Sequence, residues 1–359
     1  MALAGKNGAS QTVRPIFRRF SGISLLPGRL EMGSAQLNQS PRFSVVLRSR
    51  NDAEIIERTL RGIFLQSLAP LEIICLDNAS TDGTREILER HGDSLSILDI
   101  PEGDYVPGKV LNQGVQKARG DIIVFLNSDA IPLHPDCFAR LLRELSPDEA
   151  TYARQLPRPD ARQAVRYDYN LCFPETLPAT GESPCGKNFF SIVCAAACKA
   201  LLLEHPFPEH VQYSEDTIWA NHISAHGHRI RYCPEAKVEH SHNYSFTEAV
   251  KRFTNEGKAE AIESPGLMAL LVTLTLSPAR TAVSILRDII SMHGGGRTSL
   301  AGEIVYSIKL RTAQKILKPV AMTRSVLSIY INHCGYPRRR SAGNISPAHR
   351  KRRKDDLAN

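Results

Sequence analysis

From residue 43 onward, short apolar runs alternate with amphipathic stretches. Phe43 to Leu47, Leu71 to Leu76, Ser94 to Ile100 and Asp121 to Leu126 read as four strands. Between them, residues 53–66, 84–90 and 110–119 carry apolar side chains at helical spacing, and Asn51-Asp52 caps the first of these helices. Unbroken apolar runs suit strands covered on both faces, and strands alternating with helices predict a parallel sheet between two helical layers. The run ending at Leu126 releases Asn127-Ser128-Asp129. On an extended backbone the side chains of Asn127 and Asp129 point the same way. Open α/β sheets bind ligands at the carboxyl ends of their strands, so a carboxylate here suits a cation or phosphates. The plainer alternative is a cap for the next helix.

Downstream, Glu215-Asp216 opens a helical stretch that ends near Gly227. Carboxylates at a helix N-terminus are either caps or groups held ionised for chemistry. His240 and His242 flank Ser241, and on an extended segment both imidazoles face one side, as a metal or phosphate site requires. Cys194 and Cys198 stand at helical spacing in an Ala-rich run, which predicts core packing rather than metal ligation. Beyond Phe253 come apolar stretches at 266–276, 282–292 (interrupted by Arg287-Asp288), 305–317 and 326–331. They predict helices, either packed on the body or lying in the plane of a membrane. No run reaches 18 uninterrupted apolar residues, so a spanning helix is not expected.

Charge sharpens this picture. The 359-residue chain carries a formal charge of +8, but residues 1–40 and 335–359 hold all of the excess, leaving the body at about −2. Nucleic acid would call for a basic stripe on a folded face and is not an expected partner. A basic tail, with Arg338-Arg339-Arg340 and Arg350 to Lys354 beside apolar helices, suits an anionic membrane surface. The expected division is a disordered basic leader over 1–40, a catalytic domain over 41–255, a helical, membrane-associated extension over 256–334, and a disordered basic tail over 335–359. The leader has no secretory apolar block, and Met32 is an alternative start. Eight cysteines without a CxxC pair predict reduced thiols in a cytoplasmic protein. There is no GxGxxG after the first strand and no GxxxxGK[ST], which removes the usual dinucleotide and P-loop readings. Gly294-Gly295-Gly296 follows a helix and reads as a break in it.

Ser44 to Asp52, the turn Asp77-Asn78-Ala79-Ser80-Thr81-Asp82-Gly83-Thr84, and Gly108 to Gly114 running into Ala118-Arg119-Gly120-Asp121 together resemble glycosyltransferase family 2. Ala153 to Ala161, Glu215 to Ala220 and Val238 to Ser245 are similar to its bacterial rhamnosyltransferase branch, which builds lipopolysaccharide and other surface polysaccharides. The resemblance covers about Arg42 to Phe253. It implies an α/β chain with the nucleotide-sugar-binding GT-A fold, a mostly parallel Rossmann-like sheet, and a C-terminal α-helical extension. It also implies an inverting transfer from a dTDP-, UDP- or GDP-sugar to a saccharide or lipid-linked acceptor, assisted by Mn2+ or Mg2+. Asp216 would be the general base and Glu215 would orient the acceptor. Asp129, His240 and His242 would hold the metal, with His240 the stronger candidate. Ser49, Asn51 and Asp77 would line the nucleoside pocket. Asn127 stands where the family usually has the first Asp of Asp-x-Asp, so metal binding rests on Asp129. Lys109 and Arg154 suit a diphosphate or acceptor, or a solvated surface. The expected place is the cytoplasm, peripheral on the inner face of the membrane. A degenerate binding protein on this fold and a nucleotidyltransferase are the alternatives.

Overall fold

The computed structural model describes residues 42–177, 183, 185–186, 188–261, 266–292 and 300–333. The leader, the Gly294–Gly296 break and the basic tail lie outside the described residues.

Strands β1 (Phe43–Ser49), β2 (Glu72–Asp77), β3 (Ser96–Asp99) and β4 (Ile122–Asn127) alternate with α1 (Ile56–Phe64), α2 (Thr84–Arg90) and α3 (Pro107–Lys117). The chain continues through β5 (Ile131–Pro132), α4 (Cys137–Leu141), β6 (Glu149–Leu156), α5 (Gln163–Cys172), β7 (Cys194–Cys198), α6 (Lys199–Glu204), α7 (Glu215–Ala225) and β8 (Arg229–Glu239). All strands join one sheet in the order β3-β2-β1-β4-β7-β6-β8-β5. Strands β3, β2, β1 and β4 are mutually parallel, β7 runs antiparallel to both β4 and β6, and β8 runs parallel to β6.

Alternate side chains of β1 and β4 enter separate cores. Val46, Ile123 and Phe125 pack on one face, while Val45, Leu47, Val124 and Leu126 pack on the other. Burial on both faces explains why these strands are apolar throughout. Gly114 on α3 lets that helix close on β1, since a Cβ there would stand 2.6 Å from Val46 Cγ1. The sheet register brings Ser49 opposite Asp77 and Arg48 opposite Asn127, so the polar ends of β1, β2 and β4 finish side by side.

Two cysteine expectations are corrected. Residues 194–198 form strand β7, not a helix, because pairing with β4 and β6 overrides the helix preference of three alanines. The prediction of eight reduced thiols also fails. Cys172, at the end of α5, is disulfide-bonded to Cys185, a pairing across 13 residues that no short motif announces.

After β8 the chain is helical: α8 (Phe246–Glu260), α9 (Leu267–Ser291), α10 (Leu300–Thr312), a π-helical turn (Ala313–Leu317) and α11 (Lys318–His333). The expected boundary at residue 255 falls inside α8. Pro319 accounts for the π turn, since it cannot donate to the carbonyl four residues back. Gly257 of α8 takes the close crossing, where a Cβ would lie 2.4 Å from the Lys318 carbonyl oxygen.

Helix α9 is turned polar side inward. Ser277, Thr281 and Asp288 are buried, whereas Met268, Val272, Val283, Leu286 and Ile290 are exposed. Asp288 receives both Nε and Nη2 of Arg311 at 2.8 Å, and Arg311 Nη1 donates to both oxygens of Asp168 on α5 at 2.7 Å. Removing one partner of a buried pair strands the other charge, at a cost of about 3–5 kcal/mol. Arg311→Ala is therefore expected to lose that much in denaturant unfolding. A loss below about 1 kcal/mol would show that the network is solvated.

Candidate active site

At the carboxyl end of β4, Asp129 lies at the centre of a cluster. Its Oδ2 is 3.5 Å from His240 Nε2, 3.3 Å from His242 Nε2 and 3.2 Å from an Arg158 guanidinium nitrogen. Arg158 also donates to the Asp129 carbonyl at 2.8 Å. Both histidines follow β8, and the His240 amide donates to the Leu156 carbonyl, which brings that segment over β6. His240 Nδ1 lies 2.9 Å from Gln155 Oε1 and 3.1 Å from the Tyr169 hydroxyl. A ring nitrogen facing an amide oxygen carries the proton, which leaves Nε2 with its lone pair aimed at Asp129.

Burial pushes His240 down to about 3 and also lowers His242, so both rings are neutral near pH 7. Burial penalises the Asp129 carboxylate too, yet the positive charge of Arg158, and of either imidazole when protonated, outweighs it and holds Asp129 below the ordinary aspartate value. One ionised carboxylate with two neutral imidazoles is a donor set for a divalent cation. The grouping fits the metal ligands expected from the sequence.

Helix α7 presents the carboxylate pair. Glu215 is buried, and its Oε1 accepts from Arg48 Nη1 at 2.7 Å. Arg48 turns its Nε and Nη2 to Asn127 Oδ1, at 3.3 and 3.1 Å. Asn127 is thus engaged with Arg48, while its neighbour Asp129 forms the cluster. Asp216 Oδ2 accepts from the Ile192 amide at 3.3 Å and Oδ1 from the Thr217 amide at 2.8 Å. Those two donors, with Arg48, favour the charged form, but burial and the adjacent Glu215 outweigh them and raise Asp216 to about 6. A carboxyl group with that value is ionised at neutral pH and still basic enough to accept a proton.

The residues expected around a nucleoside gather at the ends of β1 and β2. Asp77 accepts the Ser80 hydroxyl at 2.6 Å, and Asn51, at a φ of 54°, accepts the Thr81 amide at 2.8 Å. Ser49 Oγ and Asn78 Oδ1 are buried without a hydrogen-bond partner among the described residues. Two orphaned polar atoms at adjoining strand ends fit a pocket completed by a polar ligand.

Lys109 and Arg154 stand apart from the cluster. Lys109 lines a cleft of about 390 Å³ between the end of β3 and α3. Arg154 donates to the Phe173 carbonyl at 3.2 Å and lies 3.6 Å from Glu175. Arg48, Gln155, Arg158 and Tyr169 were not singled out from the sequence for this site. Arg48 and Arg158 do stand inside the quoted motifs, but their partners lie far along the chain.

A sheet of this order, with an acidic-imidazole cluster where β4 ends and a carboxylate helix beside it, is a GT-A-like fold. Residues 44–191 match the model for glycosyl transferase family 2. It is 29% identical over 225 residues to the O-antigen chain rhamnosyltransferase RfbN of Salmonella typhimurium, covering 60% of this chain and 71% of that protein. Over 201 residues it is 29% identical to the O-antigen chain rhamnosyltransferase WbaN of Salmonella anatum, covering 54% of this chain and 63% of that one. The mannosyltransferase PcManGT of Pyrobaculum calidifontis, solved with GDP-Man and Mn2+, superposes with a TM-score of 0.53 at 20% identity. That superposition covers 81% of this chain and 88% of the mannosyltransferase, and it establishes the fold.

Proposed function

We propose that the chain transfers rhamnose or a related deoxysugar, with inversion, from a nucleotide diphosphate sugar to a saccharide or lipid-linked acceptor of a surface polysaccharide. The observation that carries this reading is the Arg48 bridge. One guanidinium holds both Asn127, beside the Asp129 cluster, and Glu215, beside Asp216. Cation site and base are thereby fixed within one side chain's span, as a transfer with a diphosphate leaving group needs. Support for the sugar comes from the two O-antigen chain rhamnosyltransferases.

In this mechanism Asp216 accepts the acceptor hydroxyl proton as that oxygen attacks C1 of the sugar from the face opposite the diphosphate. Glu215 anchors Arg48 and holds Asp216 basic, a different role from orienting the acceptor. Asp129, His240 and His242 would hold Mn2+ or Mg2+, which supplies positive charge for the departing diphosphate. Arg158 lies beside that charge and would bind a diphosphate oxygen. Ser49, Asn51 and Asp77 would receive the nucleoside. Thermal shift and donor hydrolysis across dTDP-, UDP- and GDP-sugars, each with Mn2+, should single out one nucleotide. A flat response across the panel would return the chain to a binding role.

The reading extends to an anionic membrane surface, where lipid-linked acceptors reside. No described helix is long and apolar enough to cross a membrane. Instead, the outward row on α9 is apolar, with Ile290 63% and Leu286 58% exposed beside exposed Arg280 and Arg287. Such a face suits insertion at the headgroup level, aided by basic residues. Vesicles containing anionic lipid should bind the full chain more tightly than neutral ones and release part of it in high salt. A Leu286→Asn/Ile290→Asn variant should bind at least about tenfold more weakly, given 1.5–3 kcal/mol per buried apolar side chain. Unchanged binding by that variant would remove α9 from the contact.

A further inference from the structure

At the end of α7 remote from Glu215 and Asp216, four imidazoles converge. His205 follows α6, His222 and His226 stand one turn apart on α7 and its cap, and His228 leads into β8. His205 Nδ1 lies 3.2 Å from His222 Nε2, and His205 Nε2 lies 3.2 Å from His228 Nε2. The rings of His205, His222 and His226 have centroids 4.3–5.2 Å apart, and one nitrogen from each falls within 4.8 Å of the others. Trp219 Nε1 donates to the His205 carbonyl at 2.6 Å, which pins that backbone to α7.

The 3.2 Å separation can be compared with a metal site. Zinc bound tetrahedrally at 2.0–2.1 Å from imidazole nitrogens places those nitrogens roughly 3.3–3.4 Å apart. His226 Nδ1 lies 2.8 Å from the His222 carbonyl oxygen, so it carries the proton and Nε2 keeps its lone pair. His222 and His226 are exposed, so burial of apolar surface does not account for this gathering. A chain of N–H···N bonds would join these rings in pairs, but it gives no use to the free Nε2 of His226.

We propose that His205, His222 and His226 form a second metal site, of the zinc class, with water in the fourth position. An all-imidazole set selects Zn2+, Cu2+ or Ni2+ over the oxygen-seeking Mn2+ and Mg2+, which separates it chemically from the Asp129 cluster. The site would clamp the end of α6 to the last turn of α7.

The test compares metal-stripped wild type with His222→Ala/His226→Ala, both exposed positions outside the active site. After Zn2+ loading and desalting, the variant is expected to retain one zinc equivalent fewer per chain. Co2+ loaded in place of zinc should give tetrahedral d–d absorption in wild type and lose it in the variant. Transferase activity with Mn2+ should be retained by the variant. Equal zinc content in the two proteins, or zinc bound by neither, would overturn the site. A Co2+ spectrum unaltered by the double substitution would overturn it as well.

Discussion

Replacing Asp216 by asparagine is expected to lower the transfer rate at least about a hundredfold, the lower range of general-base contributions, while nucleotide-sugar binding stays within a few-fold. In the proposed mechanism the base would meet only the acceptor proton, whereas the donor would be held at the ends of β1, β2 and β4. In the wild type, kcat/KM should fall about tenfold per pH unit below about 6, where Asp216 takes up its proton. Stability should move the other way. Folding raises this carboxyl above its ordinary value, so the wild type loses stability as pH climbs from about 4 through about 6. Neutral asparagine escapes that loss, and the variant should melt at or above the wild type at pH 7–8. An inactive variant that also melts early would mean a damaged fold. Transfer within a few-fold of wild type would move the base elsewhere.

Asp129→Ala should be the most damaging change to cation and donor together. It removes the one carboxylate of the cluster, leaving two neutral imidazoles and the Arg158 guanidinium facing each other. A site with net positive charge repels a divalent ion, and the diphosphate then loses its bridge. Calorimetry should show Mn2+ binding lost at this site, and nucleotide-sugar affinity should fall at least about tenfold. Chelation of the wild type should abolish transfer, with Mn2+ restoring it. Full activity in a chelator would sink the metal assignment.

Much of the sheet was legible because burial on two faces leaves an unbroken apolar run. β1, β2 and β4 all show it, and α2 appears at the residues expected from its Gly83 turn and apolar spacing. β7 was not legible, since Cys-Ala-Ala-Ala-Cys has no period of its own and its strand pairing is decided by β4 and β6. In the site, the grouping of Asp129 with His240 and His242 could be anticipated from motif likeness. The roles of Arg48 and Arg158 could not, because each is defined by a partner brought close only by folding: Glu215 for Arg48, and Asp129 and Ser241 for Arg158. Lys109 and Arg154 show the converse, since a lone cation in a sequence carries no direction.

Adjacent residues of α5 face two different parts of the protein. Asp168 receives Arg311 from the C-terminal helices, and Tyr169 reaches His240 in the cation cluster. Cutting the chain after about Phe253, to discard an apolar appendage, would leave Asp168 without its guanidinium and uncover Ala161, Ala164 and Val165, which pack with Leu310 and Ala313. The Tyr169 hydroxyl, one residue further on, would lose its rigid footing. Chimeras that exchange acceptor preference among relatives should therefore carry α5 and everything from α8 onward as a single cassette, with junctions that keep Ala161, Arg162 and the Cys172–Cys185 disulfide inside it.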